Sequence, residues 1–199
     1  MVRFALAIPP AAEPVTTAEA KTHARIEHSA EDALVATMIT AARQATEKHT
    51  GRAWLTQTWT ATLDRWADVD GGESEDLWPF FVSPTPRRLA LYPRPPASIT
   101  SLVVDGVTIA SSNYALRGHE LFVKSDVADS ANELGGGIVC TFTAGYGLAA
   151  AVPQDVKQAI LTLVAHFYEN REAANASGIY SQITPYALSL LSPYEVLEI

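Results

Sequence analysis

The sequence predicts an α+β protein, a helical bundle of two long helices plus short helices, with a small antiparallel β-sheet inserted between the long ones and an extended C-terminal arm. Two observations carry this prediction. Apolar residues recur at helical spacing in 30–50 and again in 153–172. Between them, 55–145 consists of short alternating segments bounded by Gly and Pro, which is typical of antiparallel strands joined by tight turns.

The composition indicates a folded, acidic chain. Of 199 residues, 48% are hydrophobic and 18% are charged, which argues against disorder throughout. The formal net charge of −8 argues against free-standing, non-specific DNA binding, because such binding needs Lys and Arg to neutralise phosphates. No apolar run approaches the roughly 18–20 residues that span a bilayer, and the start "MVRFALAIPPAAEP" is too brief for a signal peptide. We therefore expect synthesis in the cytoplasm and no membrane association.

Changes in composition and residue pattern along the sequence divide the chain into three parts. We expect an N-terminal extension at 1–14, a central domain at 15–174 and a C-terminal arm at 175–199. Within the central domain the predicted elements are helices at 16–25, 30–50 and 153–172, strands within 55–145, and an acidic loop at 67–86.

Capping residues set the ends of the first two helices. Thr16 and Glu19 have the spacing of a capping box, in which each side chain accepts a hydrogen bond from the backbone of the other. Ser29 is the predicted N-cap of the second helix, and Gly51 suits the position just after its last turn. Apolar residues repeat along this helix, and most of them are small enough to allow close approach to a neighbour: Leu34, Met38, Ala41 or Ala42, and Ala45.

The strand region is marked by its turns. "LTQTWTATLDRW" alternates and is rich in Thr and Trp, which favours a strand. Asp105-Gly106, between "SLVV" and "VTIA", is a strong hairpin signal, and a second turn falls at Gly118-His119. With "GGGIVCTFTAGYG", these segments predict about five or six short strands. The sole cysteine, Cys140, excludes an internal disulfide and is expected to be a small buried strand residue.

The acidic loop at 67–86 allows two interpretations. It is either a solvated loop with a few anchoring side chains or an aromatic docking loop for a partner, because Trp78, Phe80 and Phe81 interrupt its carboxylates.

The third helix has a wider apolar face than one small core requires. Pro153 fits its first position. One stripe is Val156, Ile160, Leu163, Val164 and Phe167, and Ala159, Leu161, Ala165 and Tyr168 widen it. The helix either meets its own core on one side and neighbouring subunits on the other, or is covered on all sides by its own domain.

The sequence contains no recognisable catalytic, cofactor or metal site. His166 and Glu169 lie three residues apart on a helix, but without a second ligand pair they are better interpreted as a surface or interface pair. The glycines at 135–137 lack the Gly-Lys-Ser/Thr of a phosphate-binding loop, and no GxSxG motif occurs. We therefore do not expect an enzyme.

Four sequence elements occur in a fixed order across about 15–172: the opening residues 18–21, Arg25 and 31–34, the helix exit "TGRAW", the turn "YPRPP", and "AGYG" followed by "VP", "AI" and "LVAHFYENRE". Their order resembles the head–tail connector proteins of tailed bacteriophages, also called adaptor or head-completion proteins, with versions in prophages and gene-transfer particles. The chain departs from that pattern in the acidic loop and in the tail after 175, where the family is variable.

The resemblance implies a structural protein in the neck of a virion or phage-like particle, made in the cytoplasm of a bacterial host. It implies a homo-oligomeric ring, commonly of twelve copies, docked beneath the portal protein, with a stopper or tail protein on the far side. DNA passes through the lumen without sequence-specific binding, and an acidic chain suits a channel that does not grip its DNA.

Two sets of residues follow as expected contacts. The subunit interface is expected at Leu34, Met38, Ala41, Ala45, Val156, Ile160, Leu163, Val164, Phe167 and Tyr168. Partner binding is expected at Trp78, Phe80, Phe81, Tyr186, Leu190, Leu191, Tyr194, Val196, Leu197 and Ile199. The tail 185–199 is expected to insert into a partner as an apolar arm, the alternative being a tail packed on its own domain.

Two rival functions stay open at this point. Another neck component, such as a stopper or tail terminator, would do similar work, although its mainly β architecture disagrees with the two long helices. A small soluble α+β enzyme or regulator is the more distant alternative, and a pocket lined by titrating groups would favour it.

Overall fold

A computed structural model describes residues 2–66, 87–131, 136–170 and 184–196, together with the backbone of 174–175 and 178–179. The chain divides into two compact units. The first, which we call the sheet unit, comprises Met1–Pro9 and Gln57–Gly145, and the second, the helical unit, comprises Pro10–Thr56 and Tyr146–Ile199. The predicted α+β class is confirmed.

The sheet unit contains eight strands among its described residues, and they form two antiparallel sheets. The strands are β1 Arg3–Ile8, β2 Gln57–Leu63, β3 Arg87–Ala90, β4 Pro96–Val104, β5 Val107–Thr108, β6 Tyr114–Arg117, β7 Glu120–Val123 and β8 Ile138–Ala144. The five-stranded sheet has the order β1-β2-β8-β4-β5, and the three-stranded sheet has the order β3-β7-β6. The single sheet predicted from the sequence is therefore corrected to two.

Alternation along the central strand β8 builds the core of the larger sheet. Ile138, Cys140, Phe142 and Ala144 are buried, while the residues between them are half-buried. Because successive side chains in a strand point to opposite faces, every second residue of "IVCTFTA" enters the core. Burying a side chain such as Phe142 stabilises the fold by about 1.5–3 kcal/mol.

Two glycine turns place the hairpins where the sequence predicts them. Asp105 and Gly106 both have positive φ, at 47° and 80°, as a type I′ turn between β4 and β5 requires. Gly118, at φ 61°, makes the corresponding turn between β6 and β7. The carboxylate of Asp105 also accepts hydrogen bonds from the Ser130 hydroxyl at 2.6 Å and the Ala131 N–H at 2.7 Å, and these bonds lower the pKa of Asp105.

The N-terminal residues belong to the larger sheet, so the predicted extension at 1–14 needs correction. β1 pairs antiparallel with β2, from Arg3 opposite Thr62 to Ile8 opposite Thr58. The sequence near β1 does not identify its pairing, because its partner strand lies fifty or more residues along the chain.

The helical unit consists of α1 Thr17–Ala24, α2 Asp32–Thr50, α3 Gln154–Glu169 and α4 Pro185–Leu191, followed by a 3-10 turn at Ser192–Tyr194. Two further short strands, β9 Ala174–Asn175 and β10 Gly178–Ile179, pair with each other. The predicted capping box is present, since the Thr16 hydroxyl accepts from the Glu19 N–H at 3.2 Å and a Glu19 oxygen accepts from the Thr16 N–H at 2.6 Å.

Of the predicted helix ends, Gly51 agrees with the structure, Pro153 lies one residue before the first helical position, and the start of α2 differs. Gly51 ends α2 in the left-handed region at φ 67°, and Pro153 immediately precedes α3. The start of α2 is different, because Glu31 and not Ser29 is its N-cap. The Ser29 carbonyl instead accepts from the Asp32 N–H at 3.3 Å, which makes a turn ahead of the helix.

Candidate assembly surfaces

Helix α2 presents two different faces. Val35, Ile39 and Ala42 point into the core of the helical unit and are at most 2% exposed. The residues predicted for a subunit interface lie on the flank next to this core-facing side: Leu34 and Ala41 are exposed, and Met38 and Ala45 are half-buried. Leu34 keeps 38% of its surface, which makes it one of the large apolar side chains that the folded chain leaves uncovered. This outward row of small and apolar side chains is available to another molecule.

The apolar residues of helix α3 do not lie where the prediction of a subunit interface requires. Val156, Ile160, Leu163 and Val164 have no exposed surface, and they form one cluster with side chains of α1, α2 and α4. The expectation that these four residues meet neighbouring subunits is therefore corrected, because a side chain with no surface left has none to offer a neighbour. The wide apolar face of α3 is explained instead by the helices of its own unit that pack around it.

The last turn of α3 keeps partly accessible aromatic side chains. Phe167 and Tyr168 are half-buried against the core cluster. The Tyr168 hydroxyl donates to a Glu31 carboxylate oxygen at 2.6 Å and lies 3.4 Å from the His28 imidazole. These polar contacts fix the Tyr168 ring against the start of α2, so part of its predicted interface surface is used within the subunit.

A buried ion network fastens the segment before α1 to α2. Arg43 is 4% exposed, and its guanidinium donates to Glu13 at 2.8 Å and to Glu47 at 2.6 Å. Burial by itself would lower the pKa of Arg43, but the hydrogen bonds and charges of Glu13 and Glu47 outweigh it, so the pKa is raised. Glu47 also accepts from the backbone N–H of Trp54 at 3.0 Å. The cation therefore stays charged inside the unit and ties three stretches of chain together.

The C-terminal segment is attached to the end of α2 by aromatic packing around a buried tryptophan. Trp54 stacks on Tyr146, with centroids 5.9 Å apart, and meets Tyr194 edge to face at 5.8 Å. The Arg52 guanidinium donates to the Tyr194 carbonyl, and the Val196 N–H donates to the Thr50 carbonyl at 3.1 Å. Backbone and side-chain hydrogen bonds thus hold the described part of the C-terminal segment against the end of α2.

This attachment corrects the prediction of an extended apolar arm. Residues 184–196 form α4 and a following turn, in which Leu191 is fully buried and Leu190, Tyr194 and Val196 are half-buried in their own subunit. Tyr186 is the exception, because it remains 56% exposed on α4. The predicted contacts Trp78, Phe80, Phe81, Leu197 and Ile199 lie outside the described residues.

The described residues show no arrangement suited to catalysis or metal binding. Within them, no three His, Cys, Asp or Glu side chains come close enough together to hold a metal ion. Cys140 is fully buried in β8, and burial raises the pKa of its thiol to about 12, so it is not a nucleophile at neutral pH. None of the described helices combines the length and the apolar composition that crossing a membrane requires.

Strand β1 is a surface that the sequence did not reveal. It lies at an edge of the five-stranded sheet, and Leu6 and Ile8 keep 44% and 60% of their surface. The run "FALAI" was a possible signal, but five apolar and small residues do not by themselves distinguish a strand from an irregular segment.

Comparison with known proteins gives matches among solved structures alone. No protein-family model and no curated protein matches this sequence. Two matched chains come from the necks of gene transfer agent (GTA) particles. One is from an empty GTA particle computed with C6 symmetry, with a TM-score of 0.67 and 23% identity. The other is from a native GTA particle computed with C12 symmetry, with a TM-score of 0.66 and 22% identity. Both matches cover 100% of this chain and 97% of the other. The chain has the fold of a GTA neck protein.

A third structure, the virion of a native gene transfer agent (GTA) particle, contains the same fold, with a TM-score of 0.69 and 22% identity over 100% of this chain and 97% of the matched one. The resemblance to head–tail connector proteins that the sequence predicts is thereby confirmed at the level of the fold. The GTA neck fold includes both units of this chain, because each match extends over its full length.

Proposed function

We propose that the protein is a structural adaptor in the neck of a phage or phage-like particle, where identical copies form a ring between the portal and a stopper or tail protein. One observation carries this proposal, namely full-length similarity of fold to chains from necks computed with C6 and C12 symmetry. A ring of this kind arises when one surface of a subunit binds a different surface of the next copy and the rotation closes.

The internal contacts of the helical unit are consistent with a mechanical role in an assembly. Arg43 with its two carboxylates, and Trp54 with its two tyrosines, fasten the ends of the unit to α2. A rigid subunit suits a ring, because many modest contacts add up to a stable assembly only when each subunit holds its shape.

The outward face of α2 is the proposed contact between copies in the helical unit. Leu34, Met38, Ala41 and Ala45 offer apolar surface, and the short side chains of the two alanines allow a helix of another copy to approach closely. Exposed Tyr186 on α4 is a proposed contact with the portal or with a tail protein, because Tyr supplies a large contact area at a low entropic cost.

The proposed path of DNA is the lumen of the ring, without sequence-specific contacts. The net charge of −8 disfavours a tight grip on phosphates. Positive charge is nevertheless concentrated locally on the three-stranded sheet, where the guanidiniums of Arg88 and Arg117 lie 5.3 and 5.2 Å from the ring of Phe122. Weak, salt-sensitive contact with a passing phosphate backbone is compatible with this arrangement.

The experiment that tests the proposal is capture of the purified protein on immobilised portal rings, followed by electron microscopy of the complex. We expect a ring of copies on the portal and no retention on naked DNA at physiological salt. Binding to a tail protein without any affinity for the portal would instead indicate a stopper or terminator. Absence of rings on the portal, together with catalytic turnover of a small molecule, would contradict the proposal.

A further inference from the structure

The edge of the larger sheet formed by β1 has little protection apart from Arg3 at its start and an irregularity in its pairing between Leu6 and Ile8. Natural edge strands carry charges, Pro or a covering element, because their free N–H and C=O groups otherwise pair with another chain. After Arg3 the strand reads "FALAI" without a charged residue, and five of its six residues are exposed. Leu6 and Ile8 alone retain 44% and 60% of their surface. A soluble protein with such an edge is expected to cover it in its working state.

The opposite edge of the same sheet offers a segment of matching length. β4 has nine residues; β5 pairs with its last two, Val103 and Val104, and the Leu102 carbonyl accepts from the Ile109 N–H at 2.8 Å. Among the described residues, no strand therefore pairs with the outer side of β4 before Leu102. Ala97, Ser98 and Thr100 are exposed along this stretch. The sheet thus has an open edge along β1 and another along the first six residues of β4, where the pairing with β8 is irregular between Pro96 and Ser98 and between Ile99 and Ser101.

The directions of the two edge strands suit a repeating contact. β1, β2, β8 and β4 are all paired antiparallel in that order, so β1 and β4 run in opposite directions. When a second copy is placed beside the first in the same orientation, its β1 lies antiparallel to the β4 of its neighbour. Antiparallel pairs form well-aligned hydrogen bonds. Pairing of β1 with β1 would give a two-fold dimer that uses up the edge and cannot continue into a ring.

We propose that β1 of one copy adds to the open edge of β4 in the next copy, so that the sheets of successive copies join head to tail. The occupant of the exposed β1 edge is a second copy of this chain. The two edges match in length and direction, and repetition of one contact between identical copies produces the cyclic symmetry of the matched necks. This inference rests on the proposed ring and identifies strand addition as one contact that builds it.

A mixing experiment tests the head-to-tail geometry with two double variants of the full-length protein. L6E/I8E is designed to block the β1 edge and A97E/T100E the β4 edge, each at exposed positions. Each variant alone is expected to associate about tenfold or more weakly than the wild type in native mass spectrometry and sedimentation. A mixture is expected to give one heterodimer, since each partner supplies one intact edge. Leu148→Glu, at a side chain 82% exposed in the helical unit, is the matched control and should assemble normally.

Disulfide trapping provides a second readout, which also reports which two strands lie side by side. Ala5→Cys is combined with Ala97→Cys or with Thr100→Cys, and the native Cys140 does not interfere because it is buried. At least one combination is expected to form a ladder of covalent multimers on oxidation, whereas Ala5→Cys alone is expected to stay uncrosslinked. A dimer formed by Ala5→Cys alone would overturn the proposal, because it would require two β1 strands side by side.

The outcomes separate the two proposals. Rings on the portal that form equally well from wild type, L6E/I8E and A97E/T100E would overturn strand addition and leave the adaptor function intact. A wild-type protein that forms no ring, with or without the portal, would overturn both. Circular dichroism of each variant at the assay temperature shows whether a lost ring reflects a lost contact or a lost fold.

Discussion

The guanidinium of Arg43 reaches the carboxylate of Glu13 at 2.8 Å, although the two residues are thirty positions apart in the sequence. Arg43 is 4% exposed and its second carboxylate partner is Glu47. Removing one charged group of the network would leave the remaining charges poorly solvated and without a partner. For this reason, breaking a buried ion pair lowers the free energy of unfolding strongly. The helical unit therefore depends on a cation inside it.

Replacing this cation should destabilise the protein strongly. Arg43→Met leaves Glu13 and Glu47 facing each other without their shared partner, and we expect a loss of about 3 kcal/mol in the free energy of unfolding, near the lower end for buried pairs because Glu13 is partly exposed. Urea unfolding followed by circular dichroism measures it. Lys48→Met, at an exposed position of α2, is the control and should change stability by less than about 0.5 kcal/mol. Equal effects of the two substitutions would contradict the role of the network.

The C-terminal helix should be required for folding rather than only for partner binding. Leu191→Ala removes a fully buried side chain from the core cluster, and we expect a cost of about 2–5 kcal/mol in urea unfolding. Tyr186→Ala, on the exposed side of the same helix, should leave stability nearly unchanged and instead weaken capture by the portal. Deleting residues from 186 onward should unfold the helical unit. A stable, soluble truncation would contradict this assignment.

The capping box of α1 should make stability depend on pH in a defined direction. Hydrogen bonds from the backbone and the side chain of Thr16 lower the pKa of Glu19 from its ordinary value of 4.5. A lowered pKa contributes stability that is present above 4.5 and is lost as the pH falls through the lowered value. Thr16→Ala should cost about 1 kcal/mol at pH 7, and the difference from wild type should shrink on acidification. A difference that grows toward low pH would contradict the sign. Thr37→Ala, at an exposed site within α2, is the control.

The buried thiol should report on unfolding. Burial raises the pKa of Cys140 to about 12, so the native protein should not react with a disulfide reagent such as DTNB at pH 8. In urea, one thiol per chain should react, because the sequence contains a single cysteine. Reaction with the native protein that is as fast as with the unfolded chain would show that β8 opens readily.

The outward face of α2 should matter for assembly and not for folding. Leu34→Lys places a charge on a residue that is 38% exposed, so the stability of the subunit should change by less than about 0.5 kcal/mol. Formation of rings on the portal should fall, because a charge would be buried between copies without a partner. Thr37→Lys, an exposed polar site on the same helix, is the control. Normal ring formation by Leu34→Lys would remove α2 from the proposed interface.

Local chemistry determined much of this protein directly from its sequence. Thr16 with Glu19, Asp105 with Gly106, and Gly51 each have a structural preference set within a few residues, so the cap, the hairpin and the end of α2 could be predicted. The apolar periodicity of α3 likewise predicted that the helix is covered on a wide face. Periodicity says that a surface is buried, but it does not say by which element.

The tertiary structure alone decided what covers each surface. Val156 and Leu163 are buried by helices of their own unit, and β1 is a strand because β2 pairs with it from far along the chain. Arg43 is buried because Glu13 and Glu47 converge on it, which its position on α2 did not foretell. The physical reason is the same in each case: caps and turns are satisfied by neighbours in sequence, whereas burial and strand pairing depend on partners that only the folded chain brings together.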